Sequence, residues 1–114
     1  VHEFSLAGSI IQTVAQSARE RGITRVVRVT VVVGEWAAVL PDALQAGFAI
    51  LAADAGPPVA GADLVVEVAP AEAECTACGD RFAVATSGLK CPACSQTGRL
   101  VAGLELSIDS YEGE

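Results

Sequence analysis

Four cysteines and one histidine are the residues whose type and spacing could do chemistry. Cys75-Thr76-Ala77-Cys78-Gly79 and Cys91-Pro92-Ala93-Cys94-Ser95 form two Cys-x-x-Cys knuckles separated by twelve residues. Two residues between thiols let both sulfurs of a tight turn face one centre, and two such turns supply a tetrahedron of thiolates about 2.3 Å from a Zn(II) ion. Four thiolates close the coordination shell. The zinc expected at Cys75, Cys78, Cys91 and Cys94 is therefore structural, and it replaces the core that a module of about 30 residues lacks. A pair of redox dithiols, or an iron–sulfur ligand set, would use the same residues. A thioredoxin-like dithiol sits at a helix start after a strand, whereas these knuckles lie among Gly, Pro, Asp and Ser.

His2 is the only histidine. A histidine so close to a terminus is most often a frayed, solvated residue. Geometry offers it another role. The α-amine of Val1, the backbone nitrogen of His2 and the His2 imidazole can close adjacent chelate rings, and planar nitrogen donors suit Ni(II) or Cu(II) rather than tetrahedral zinc. A four-nitrogen square requires the amides of His2 and Glu3 to lose their protons, so affinity should rise with pH. Glu3 also has a plain reading as an acid at the positive end of a helix, with Ser5 as the cap.

The elements that must position these groups can be read from periodicity. Leu6, Ile10, Ile11, Val14 and Ala18 form one stripe, which predicts a helix from Ser5 to Arg21 closed by Gly22. The β-branched run Arg25 to Gly34 predicts a strand. Pro41 and Asp42 open a second helix, carried by Leu44, Phe48, Leu51 and Ala52, that should stop near Asp54-Ala55-Gly56-Pro57-Pro58. Residues 62–69, ended by Pro70, and the alternating Leu104 to Ser110 predict two further strands. The order α, β, α, β, insert, β defines an α+β fold: a three-stranded sheet with two helices, formed by 1–70 and 101–114, carrying an inserted zinc-ribbon-like module at 71–100.

Seven Lys and Arg stand against fourteen Asp and Glu, a net charge of −7, which repels phosphate backbones and anionic lipid. Within the module, Arg81, Lys90 and Arg99 balance Glu72, Glu74 and Asp80, so it lacks the basic stripe of a nucleic-acid-binding ribbon. The hydrophobic content of 52% supports a core, and no apolar run reaches membrane-spanning length. The start, Val1-His2-Glu3-Phe4-Ser5, has no basic segment of the secretory kind, which points to the cytoplasm and to reduced thiols.

His2-Glu3-Phe4-Ser5-Leu6, Val31-Val32-Val33-Gly34-Glu35, the two knuckles and Gly103-Leu104-Glu105-Leu106, in this order along the whole chain, resemble the HypA/HybF family of hydrogenase nickel-insertion proteins. The resemblance implies a non-enzymatic metallochaperone with transient Ni(II) cargo at the Val1 amine, the His2 imidazole and the backbone nitrogens of His2 and Glu3. It implies structural Zn(II) at Cys75, Cys78, Cys91 and Cys94, a nickel-binding α/β domain at 1–70 and 101–114, and a zinc-binding module at 71–100. Implied partners are a HypB-like GTPase and the [NiFe]-hydrogenase large subunit, with urease served in some organisms. Val1 stands where the family has Met, as a GTG start codon written literally as valine would give, and residues preceding it would remove the amine ligand. Some members bring a further acid from the segment after the Gly-Glu pair; Trp36 to Leu40 contains none, and Asp42 is the nearest carboxylate. Two other functions fit parts of the pattern: a zinc-ribbon protein-interaction adaptor without specific nickel binding, and a small enzyme using a reactive dithiol. The second lacks a visible base beyond His2.

Overall fold

The computed structural model describes residues 2–84 and 88–114, without the side chain of His2. The first element is α1, His2–Glu20. Phe4, Ala7, Ile11, Val14 and Ala18 recur at spacings of three and four, and all but Phe4 are buried, with Ile10 beside them. The helix starts three residues before the expected Ser5, so Ser5 lies inside it and does not cap it. The reason is tertiary: the carboxylate of Glu3, in the first turn, accepts a hydrogen bond from the Leu40 N–H at 3.4 Å. The far end closes as the apolar stripe requires. Gly22 takes a left-handed φ of 72°, the Ile23 N–H reaches the Ala18 carbonyl at 2.8 Å, and the Gly22 N–H reaches that of Arg19 at 3.2 Å.

Strand β1, Val26–Gly34, buries Val26, Val29, Val31 and Val33. Helix α2, Pro41–Ala55, starts with proline in its first turn, buries Leu44, Gly47, Phe48 and Ala52, and stops at Gly56. Strand β2, Asp63–Ala69, ends before Pro70. Three short strands follow, two within the expected insert and the third running past its end: β3, Glu72–Cys75, β4, Arg81–Ala83, and β5, Gly98–Ala102. The last strand, β6, spans Leu106–Gly113. It begins later and runs further than the alternation from Leu104 to Ser110 suggests. Leu104 sits in a turn, 64% exposed, because Gly103 has a φ of 121° and its N–H bonds to both Glu105 carboxylate oxygens at 3.0 and 3.1 Å. At the other end, Arg25 and Glu114 exchange backbone hydrogen bonds of 3.1 and 2.9 Å, which extends the pairing.

The strands form two three-stranded sheets, ordered β2-β1-β6 and β4-β3-β5. Contacts divide the chain into two units. The first takes the residues up to Val32 together with Val39–Glu67 and Ser107–Glu114. Its core joins Ile10 and Val14 of α1, Val29 and Val31 of β1, Leu44 and Phe48 of α2, and Leu64 of β2, all buried. Tyr111 is tied to Ser17 of α1 by a 2.6 Å hydroxyl hydrogen bond. The second unit takes Val33–Ala38 and Val68–Leu106, more than the expected insert at 71–100. The additional residues belong to it through hydrogen bonds. The Glu35 N–H donates to the Ala69 carbonyl at 2.8 Å, the Glu35 carboxylate accepts the Ala71 N–H at 2.9 Å, and the Trp36 N–H donates to the Gly103 carbonyl at 2.7 Å.

Candidate metal centre

The four cysteines meet in the second unit. Strand β3 delivers Cys75 by pairing antiparallel with β4, where Ala73 faces Phe82, and with β5, where Cys75 faces Gly98. Beneath the sulfurs lies a small core of Ala73, Cys75, Phe82 and Cys91, against which Val84, Leu89 and Cys94 pack. The two knuckles are built alike. In the first, the Gly79 N–H donates to the Cys75 carbonyl at 3.0 Å and the Cys75 N–H to the Asp80 carbonyl at 2.8 Å. In the second, the Ser95 N–H donates to the Cys91 carbonyl at 2.9 Å and the Cys91 N–H to the Gln96 carbonyl at 2.8 Å. Both turns need a left-handed residue after the second cysteine, and they use Gly79 (φ 77°) and Ser95 (φ 66°). Thr76 Oγ1 donates to the Thr97 carbonyl at 3.1 Å and links the first knuckle to the approach to β5.

One sulfur from each cysteine lies within 4.8 Å of all the others. The Cys75 and Cys94 sulfurs are 3.3 Å apart and those of Cys78 and Cys91 3.8 Å apart. A tetrahedron with 2.3 Å metal–sulfur bonds has edges of about 3.8 Å, so the donor set fits one tetrahedral ion. All four are free thiols; Cys75 and Cys91 are buried, Cys94 is intermediate and Cys78 exposed. The N–H groups of Cys78 and Ala77, each 3.4 Å from the Cys75 sulfur, lower that thiol to about 6. The Gln96 N–H favours the Cys94 thiolate, but the adjoining Cys75, burial and the other two cysteines outweigh it and push Cys94 up to about 12. Cys78 is raised as well: the Asp80 N–H lowers it, and Cys75, burial and Cys91 prevail. Four sulfurs this close cannot all carry charge unless a cation sits between them. The cluster is therefore a centre that could hold a metal ion, with donors suited to a soft or borderline one.

The residues expected to bind nickel belong to the start of the first unit. Val1 and the His2 side chain lie outside the described residues, while the His2 backbone opens α1. Glu3 is in the first turn, partly buried, with its carboxylate on the Leu40 N–H that begins α2. Asp42 is exposed in the first turn of α2. Two structural roles escape a reading of the sequence alone. Glu35 receives the Ala71 N–H, and Glu105 folds back on Gly103. A carboxylate one or two residues after a Gly at a strand end is a weak hint of either.

Two small sheets, two helices and a four-thiol centre define an α+β protein with a ribbon-type metal module. The family model described as "Hydrogenase/urease nickel incorporation, metallochaperone, hypA" matches residues 1–113. The hydrogenase maturation factor HypA of Chlorobaculum parvum is 37% identical over 111 residues, covering 96% of each chain. That of Deinococcus radiodurans is 40% identical over 109 residues, covering 95% of this chain and 89% of its own. The fold is shared with the solution structure of the Ni metallochaperone HypA from Helicobacter pylori, at a TM-score of 0.71 and 23% identity over 97% of this chain and 96% of that one. The chain belongs to the HypA family of nickel metallochaperones and hydrogenase maturation factors. Among the described residues no helix is long and apolar enough to cross a membrane.

Proposed function

We propose that this chain is a non-enzymatic carrier that binds Ni(II) at the amine of residue 1, the His2 imidazole and the backbone nitrogens of His2 and Glu3. In this reading it holds Zn(II) structurally at Cys75, Cys78, Cys91 and Cys94. It acts in the cytoplasm, passing nickel to the [NiFe]-hydrogenase large subunit with a HypB-like GTPase, and to urease where one is present. The observation that carries the reading is the family match across residues 1–113, which takes in both the His2-Glu3 start and the cysteines.

Two physical arguments support it. The first N–H groups of an α-helix have no partner within the helix, and α1 begins at His2, so the amides of His2 and Glu3 can lose their protons without breaking an intrahelical bond. A five-membered chelate ring through successive backbone nitrogens needs a ψ near zero, and the helical value of about −42° lies much closer to this than the extended value of about +135°. Terminal nitrogens form a site open to solvent and to an acceptor, whereas four thiolates enclose their ion. That contrast supports the amino terminus as the seat of the exchangeable cargo and the cysteines as that of the resident ion.

The test is metal analysis with calorimetric Ni(II) titration of a chain whose residue 1 carries a free amine, beside the same chain extended by a few residues. One tightly held zinc and one exchangeable nickel are expected, with nickel lost on extension and in His2→Ala while zinc and folding persist. Nickel affinity should climb with pH as the amides deprotonate. Stoichiometric nickel in His2→Ala would overturn the site.

A further inference from the structure

We propose that the exposed apolar surface formed by Phe4 of α1 with Leu40 and Ile50 along α2 is a docking site for a basic amphipathic helix of a partner protein. Leu40, Ala43, Gly47, Ile50 and Asp54 follow one another at spacings of three and four, a single stripe along α2 starting at the residue that caps it and buried only at Gly47 and partly at Ala43. The Phe4 ring lies along this stripe, since a Cβ at Gly47 would stand 3.7 Å from Phe4 Cδ1. Phe4, Leu40 and Ile50 are 42%, 66% and 60% exposed. Gly8, one turn beyond Phe4 on α1, leaves open space, because a Cβ there would meet nothing within 4 Å.

This surface is surplus to folding. The core side of α2 is already supplied by Leu44, Gly47, Phe48 and Ala52, yet only Asp42, Gln45 and Asp54 of its fifteen residues are polar. A helix that is apolar nearly all round is built to be covered. The distance from Leu40 to Ile50 is about 15 Å of helix, which matches roughly three turns of a partner carrying apolar anchors at helical spacing.

Charge decides the occupant. No Lys, Arg or His occurs between Arg28 and Arg81, and the charged residues at the two ends of α2 are Asp42 and Asp54. Both are exposed, and among the described residues neither forms an ion pair. A partner helix with Lys or Arg beyond its apolar anchors meets both acids. A second copy does not fit, because two-fold self-pairing sets these acids against acids. The surface stands without the nickel assignment; if that assignment holds, docking also brings the partner beside the nickel-bearing end of α1.

The experiment titrates the zinc-loaded full chain with a synthetic amphipathic helix of about eighteen residues bearing leucines on one face and lysines at the flanks, and with its Lys→Glu counterpart. Binding is read by fluorescence anisotropy and amide chemical shifts. The lysine peptide should bind, with shifts centred on Phe4, Leu40, Gly47 and Ile50. Ile50→Glu should weaken it about tenfold or more, and Asp54→Lys should turn the preference toward the glutamate peptide. Thermal melts and zinc content of the variants establish that they fold. Equal binding of both peptides, shifts on another surface, indifference to Ile50→Glu, or an Ile50-dependent dimer in sedimentation would each overturn the proposal.

Discussion

The two units reach stability by different means. The first buries Phe48, Ile10, Leu44 and a row of valines, so it is held by the removal of apolar area from water. The second has, around its cysteines, Phe82 as the large buried side chain among the described residues, packed with Ala73, Cys75 and Cys91, and the strands there are three to five residues long. Its apolar core is too small to hold it. The contrast teaches that one short chain can divide its labour: one unit folds on its own side chains, and the other gathers four thiols that an ion could clasp in place of a core.

The largest expected effect breaks the second unit alone. Cys91→Ser, or removal of zinc by a strong chelator, should forfeit much of a metal-binding term on the order of 10 kcal/mol and melt β3, β4 and β5. The helical circular dichroism of α1 and α2 should survive, and loss of helix in step with zinc would abolish the distinction. Phe48→Ala makes the opposite cut. It should cost the first unit about 3 to 5 kcal/mol in denaturant unfolding, with the zinc stoichiometry unchanged.

A third comparison uses acidity. Zinc must displace protons from the four thiols, so the second unit should lose its ion, and with it its fold, as pH falls. Cys94, pushed up to about 12, and Cys78, raised as well, give up their protons most reluctantly, whereas Cys75, lowered to about 6, is the first ready to bind. Zinc release followed against pH under reducing conditions should therefore run in step with loss of β3, β4 and β5 and leave α1 and α2 in place. The smallest effect sharpens the likeness between the knuckles. Ser95→Gly removes the strain of a left-handed residue with a side chain and should raise the stability of the second unit by about 0.5 to 1 kcal/mol, measurable as slower zinc loss to a chelator.

Legibility follows the same division. The helices and β1 and β2 were readable because their patterns run for seven residues or more and bury one side. The start of α1 was hidden, since Phe4 and Glu3 are held by α2 rather than by their own helix. Strands β3, β4 and β5 were hidden as well. These strands are only three to five residues long, Glu72, Glu74, Arg81 and Arg99 interrupt them, and one inward Ala73 or Phe82 is too short a signal for a period of two. The cysteine spacing made the centre visible from sequence alone. That Ser95 repeats the backbone of Gly79 was not, because serine carries no hint of a positive φ.

The uneven burial of the four sulfurs bears on how an ion would leave. Each knuckle begins with a buried cysteine, Cys75 or Cys91, and ends with a more accessible one, Cys78 or Cys94. A competing thiol or chelator can therefore attack only one corner of each turn, beginning with exposed Cys78. The ion would then remain tethered by the inner pair until the turns open. Retention of an ion held there would thus be a matter of lifetime as well as affinity, with two outer latches and two inner bolts set by the uneven burial of the sulfurs.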